Sequence, residues 1–166
     1  KYSFEIALVR PWESLAYSLS IKPDWALVYW DNFGMVFVQR GGENDAVIKK
    51  YSLEIPYLND TTEAVMRKVP KERLPRLIQN YEEAIRRTPD LILGRMYAGM
   101  LYQALGRCDS AIPHWQSIVD YRNKLGIAHQ KMAECYKTTN NSILYKKELD
   151  LTSKYKGQGA LWFGRP

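Results

Sequence analysis

Histidines, cysteines and paired aspartates are the residues of this chain whose types could do chemistry. His114 and His129 are its only histidines. Two imidazoles can begin a zinc site, but such a site needs further Cys, Asp or Glu ligands at set spacings, and none joins this pair. Ordinary packing is expected for both, and no metal. Asp24 and Asp31 flank the apolar run Trp25–Trp30. A carboxylate pair does acid–base work when its surroundings separate the two pKa values. Here one residue precedes a strand-like run and the other opens Asp31-Asn32-Phe33-Gly34, so turn formation is the better account. Gly41-Gly42 follows a strand-like run without the continuation of a phosphate cradle. Cys108 and Cys135 make no metal or redox motif. Inert buried thiols are their commoner use, and a disulfide is the alternative in an oxidising compartment. No catalytic residue, metal or cofactor is expected, and the chain reads as non-enzymatic.

The elements that would hold these residues follow from an internal period. Tyr102 and Tyr136 stand 34 residues apart, as do Gly99 and Ala133, and Ala84 and Ile118. Leu77, Ala111 and Tyr145 share that spacing, and so do Tyr81, Trp115 and Leu149. A period of this size marks stacked helical hairpins. Leu74, Leu77, Ile78, Tyr81 and Ile85 recur at helical spacing and give one apolar face. Asp90 is placed to cap the helix after it and Asp109 the next one. Gly106 suits a left-handed helix end, Pro113 fits a first turn, and Gly126 and Gly157 punctuate later ends. Small Ala98, Gly99 and Ala111 let paired helices approach closely, and Tyr102 and Trp115 are expected to fill the space between neighbouring hairpins.

These positions resemble the tetratricopeptide repeat. Tyr81 to Asp90 is similar to the end of that repeat's second helix, and Tyr97 to Trp115 to the core of the next copy. A third copy spans about Leu125 to Lys156, with Asn140 in place of the turn Gly, Tyr145 in place of a small residue and Asn123 where Pro is usual. The resemblance implies antiparallel hairpins in an α-α superhelix over residues 72–156, followed by a tail at 157–166. Its concave face would be lined by Leu93, Met96, Met100 and Gln103 from one repeat and by Gln130, Glu134 and Lys137 from the next. That groove implies a protein or peptide partner. Antiparallel packing of neighbouring hairpins would also bring Cys108 and Cys135 near each other.

Residues 1–57 read differently. Phe4 to Val9, Trp25 to Trp30 and Met35 to Gln39 have strand character, Pro11 to Ser20 reads as a short helix, and Asp31 to Gly34 as a hairpin turn. The expected unit is β-α-β-β, too small to bury much surface alone. The fold class expected is thus α+β, mainly α. A short irregular helix is expected near 58–71, opened by the Asp60/Glu63 capping box and cut off by Pro70. The run Trp25 to Asp31 followed by Val36 to Arg40 resembles the soluble C-terminal tail of bacterial multi-spanning membrane glycosyltransferase-like proteins. That resemblance implies a piece of a larger inner-membrane protein facing the periplasm, with membrane contact only through the missing part. The alternatives are a cytoplasmic location and an accessory domain that contacts glycan or acceptor through Trp12, Trp25 and Trp30.

Charge separates the two regions. Residues 1–57 hold six basic and seven acidic side chains, whereas 58–166 hold 18 and 11. No run exceeds two consecutive basic side chains, such as Arg86-Arg87 or Lys146-Lys147, so a solvated helical surface is expected and not a nucleic-acid site.

Overall fold

The computed structural model describes residues 4–55, 69–121 and 125–157. Among them lies a three-stranded antiparallel sheet of β1 (Ile6–Val9), β2 (Trp25–Trp30) and β3 (Met35–Gln39), in the order β1-β3-β2. Helix α1 (Ser14–Ser20) links β1 to β2, so the expected β-α-β-β order is found. The hairpin turn is built by Asp31. One carboxylate oxygen accepts from the N–H groups of Phe33 and Gly34, both at 2.7 Å, and the other from the Tyr29 hydroxyl at 2.9 Å. Burial alone would raise the pKa of Asp31, but these donors more than offset it and hold the group below the usual carboxylate range. Two elements depart from expectation. Strand β1 begins at Ile6 and not at Phe4, and residues after Gly41-Gly42 continue as a 3-10 turn and helix α2 (Asp45–Tyr51). Only Ile48 of α2 is buried, which leaves too little apolar periodicity to reveal the helix in sequence. Ile48 covers Ala26, Val28 and Val38 on one sheet face.

The other sheet face carries Val9, Leu27, Trp30, Met35 and Phe37, all buried along with Ala16 and Leu19 of α1. Helix α3 (Leu74–Arg87) belongs to the same compact unit, Lys1–Gly94. Its apolar stripe is buried at Leu74, Leu77, Ile78, Tyr81, Ala84 and Ile85, and Tyr81 meets Trp30 edge to face at 6.2 Å. Polar bonds fasten both ends of α3. Glu54 pairs with Arg73 and, at 3.0 Å, with Arg76. The Arg87 guanidinium donates to the Tyr51 carbonyl at 2.8 Å, and the Thr88 hydroxyl donates to the Trp30 carbonyl at 3.1 Å. The helix expected near 58–71 falls almost wholly outside the described residues; a 3-10 turn, Lys71–Arg73, follows Pro70.

Helix α4 (Ile92–Ala104) opens on a long-range cap. The buried Asn32 side chain accepts from the Ile92 N–H at 3.0 Å and donates to the Asp90 carbonyl at 2.8 Å. A helix start leaves its first N–H groups without intrahelical partners, and here a residue of the β-hairpin turn satisfies one of them. The expected cap by Asp90 is therefore supplied in part from elsewhere: Asp90 contributes its carbonyl and Asn32 the side chain.

The second unit, Arg95–Pro166, holds the rest of α4 with α5 (Cys108–Tyr121), α6 (Gly126–Thr138) and α7 (Ser142–Lys154). Turns at 105–107 and 139–141 reverse the chain, so α4 and α5 form one antiparallel hairpin and α6 and α7 another. The 34-residue interval recurs in the helix boundaries themselves. Starts fall at 74, 108 and 142, and again at 92 and 126; ends fall at 104 and 138. It recurs in helix termination as well. The Arg107 N–H bonds the Tyr102 carbonyl and the Gly106 N–H bonds that of Gln103. Thirty-four residues later, Asn141 bonds Tyr136 and Asn140 bonds Lys137. Both are six-to-one and five-to-two closures around a left-handed residue: Gly106 at φ 70° and Asn140 at φ 57°. Asn tolerates that region better than other side-chain-bearing residues, which explains why it substitutes for the turn Gly. Asn141 then caps α7, accepting from the Leu144 N–H at 3.1 Å.

Close approach within the first hairpin depends on Gly99. A Cβ there would lie 2.6 Å from Trp115 Cε2, and Trp115 is fully buried. Trp115 thus seals its own hairpin, and its indole N–H reaches Gln103, which bonds Lys131 of the next hairpin. Gly126 does not end a helix; it opens α6, where a Cβ would meet the Tyr155 carbonyl at 2.8 Å. Asp109 and Pro113 also shift in role. The terminating turn brings the helix start forward to Cys108, so Asp109 stands within the first turn of α5 and Pro113 lies inside the helix.

Two substitutions test these supports. Asn32→Ala strands two main-chain groups and is expected to lower unfolding free energy by about 2 kcal/mol in chemical denaturation. Gly99→Ala would gain roughly 1 kcal/mol of helix propensity, but overpacking against an immobile indole costs about 1–3 kcal/mol. A net loss of stability is expected in the same measurement, whereas a net gain would show that Trp115 can move aside.

Candidate partner-binding surface

The expected groove residues divide once placed in the structure. Leu93 belongs to the first unit and the other six to the second. Met96 is 4% exposed, so it packs internally and does not line a surface. Gln103 is consumed internally as well. Its Oε1 accepts from the Trp115 indole N–H at 3.1 Å, and its Nε2 donates to the Lys131 carbonyl at 3.0 Å. That bridge spans three helices and sets α4 beside α6. Leu93 and Met100 are half-buried.

What remains open lies on α6. Gln130 and Lys137 are exposed and Glu134 is half-exposed. Glu134 accepts from Gln130 at 3.0 Å and pairs with Lys131 at 2.9 Å. These residues recur every three or four positions, so they share one helix face. Gln130, Glu134 and Lys137 therefore present a polar strip along α6.

The cysteines are joined. Cys108, at the start of α5, and Cys135, near the end of α6, form a disulfide with a Cα–Cα distance of 5.2 Å. The inert-thiol expectation is therefore corrected: both half-cystines sit at adjacent ends of antiparallel rods, and Cys135 is buried. Cross-linking a loop of this length stabilises by about 3–4 kcal/mol through the unfolded chain. It ties the two hairpins of this unit together across their seam.

Neither histidine reaches the other's site. His114 is buried and stacks on Tyr102 at 5.5 Å between ring centroids. His129 Nδ1 lies 2.6 Å from Glu148 Oε2, with both side chains buried, and the ring stacks on Tyr155 at 5.6 Å. Glu148 was not singled out in sequence, yet it stands 34 residues after His114 and occupies the same repeat position. Burial, and then the Glu148 carboxylate, raise the pKa of the neighbouring Tyr136. Among the described residues no group of three or more His, Cys, Asp or Glu is arranged to hold a metal ion.

The aromatic surface expected for glycan contact is only partly presented. Trp30 is buried, Trp25 is half-buried and Trp12 is 44% exposed. A shallow hollow beside the hairpin turn is bounded by Leu8, Arg10, Glu13, Tyr29 and Phe33. Its central carboxylate, Asp31, already accepts three hydrogen bonds within the turn, so little of its acceptor capacity is left for a ligand. None of the described helices is long and apolar enough to cross a membrane.

Glu148→Ala is expected to cost about 1–3 kcal/mol in thermal or chemical unfolding, because it leaves the buried His129 Nδ1 without its partner. Replacing both by apolar residues, as in Glu148→Leu with His129→Phe, is expected to recover most of that loss. Equal destabilisation by the single and double variants would show that the pair contributes through shape and not through polarity. No family model matches the chain, and no curated protein is similar enough to count as a relative.

Proposed function

We propose that this chain is a non-enzymatic interaction module of tetratricopeptide type, engaging a protein segment through the exposed face of α6 together with Met100 of α4. The observation that carries this reading is the recurrence of helix boundaries and helix terminations at 34 residues. Repeated hairpins contact only their neighbours and expose long shared faces, which suits them to hold a partner. The surface now assigned is narrower than the groove expected from sequence, since Met96 and Gln103 serve the interior.

The module is assigned to the periplasmic side of a bacterial inner membrane, as the soluble C-terminal part of a larger membrane protein. The Cys108–Cys135 disulfide supports an oxidising compartment, and the N-terminal resemblance supports the membrane parent.

Photo-crosslinking side chains placed at Gln130 and Lys137 are expected to label a partner in cells, whereas the same group at exposed Ile143 on α7 is not. Equal labelling from all three sites would remove the α6 surface. Mass analysis after alkylation in cells is expected to show both cysteines protected until reductant is added; free thiols would instead place the chain in a reducing compartment.

A further inference from the structure

Strand β1 lies at one side of the sheet and pairs only with β3, in the register Ile6↔Val38 to Val9↔Met35. The Gln39 N–H donates to the Glu5 carbonyl at 2.7 Å, so the main chain of Glu5 turns inward to β3. An antiparallel ladder alternates. Ala7 and Val9 therefore also turn inward, and the N–H and C=O groups of Ile6 and Leu8 turn outward. Among the described residues no strand lies beyond them. The side chains at the same two positions are apolar and exposed, Ile6 by 62% and Leu8 by 75%. Edges left open in water are normally blunted by a charge, a Pro or a bulge, and neither position carries one. The opposite edge differs, since the Leu27 carbonyl of β2 already accepts from the Leu53 N–H at 2.8 Å.

We propose that β1 is the docking edge for a second copy of this chain, joined antiparallel about a two-fold axis at Ala7, so that two three-stranded sheets become one of six strands. The outward groups are main-chain donors and acceptors, and only an extended polypeptide satisfies them in series. The strand is also self-complementary. The two-fold at Ala7 sets Ile6 opposite Leu8 of the second copy and Leu8 opposite its Ile6. Both members of each pair turn their main chain outward, so four hydrogen bonds close. Both carry exposed apolar side chains on one face, so two cross-strand apolar pairs form with them. Glu5 falls opposite Val9 and Arg10 opposite Phe4, so no like charges meet. A shift of one residue would set outward groups against inward ones and lose every bond.

Sedimentation equilibrium on the intact chain tests this. The wild type is expected at twice the chain mass, and Ile6→Lys with Leu8→Lys at the chain mass with unchanged far-UV circular dichroism, because both side chains are exposed. Ala7→Cys, at the non-hydrogen-bonded pair on the axis where Cα atoms approach to about 4.5 Å, is expected to form a cross-linked dimer on mild oxidation. Leu8→Cys is not. A wild type that stays monomeric at every concentration overturns the proposal. So does a dimer that survives the double lysine substitution, or one in which Leu8→Cys cross-links as readily as Ala7→Cys. Binding of a synthetic alternating Val-Thr peptide to a monomeric wild type would assign the edge to a foreign strand and would likewise overturn it.

Discussion

Helices packed side by side must lose side-chain volume somewhere, and in the second unit that place is Gly99. The absence of a Cβ lets the Trp115 indole lie against the α4 backbone. Its N–H then reaches Gln103, and Gln103 reaches the Lys131 carbonyl on α6. One missing methyl thus positions a buried ring, satisfies that ring's only donor and links the first hairpin to the second. Buried polar groups are costly unless paired, so a chain of this kind is specific as well as stabilising: it closes only in one register of the three helices.

The seam between the two hairpins is held by different chemistry along its length. At one end the Cys108–Cys135 disulfide restricts the unfolded chain. Within the second hairpin, the His129–Glu148 pair satisfies two buried groups that would otherwise oppose folding. The repeat position is shared while the chemistry changes. His114 stacks on Tyr102 in one copy, and Glu148 stands beside Tyr136 in the next. A period conserves where a side chain points, and each copy fills that position with whatever its own neighbours can satisfy.

The first unit solves a different problem. A three-stranded sheet buries one face well but cannot cover both. Helices α1 and α3 close the Trp30 face, and α2 with Ile48 covers only the β2 side of the other. The exposed stretch at β1 follows from that geometry. Asn32 serves two structures at once, since the turn that aligns β2 with β3 also presents the amide that caps α4.

Periodicity made much of this legible in the sequence. The 34-residue interval specified the helix order and the close approach at Gly99, and Gly106 marked a left-handed end; that Asn140 adopts the same conformation was shown by the structure. Aromatic and β-branched runs on either side of an Asp/Asn/Gly turn located β2 and β3, because both faces of that hairpin carry apolar side chains. Helix α2 escaped notice, since a helix that buries one residue leaves no pattern. The surface residues were less legible, for phase alone places Met96 and Gln103 on a helix face without saying what covers it. Their burial, the capping of α4 by Asn32, the joining of Cys108 to Cys135 and the pairing of His129 with Glu148 were decided by tertiary structure. Each brings together groups separated by more than a helical turn, and local spacing carries no information about which distant side chain will satisfy a buried donor or acceptor.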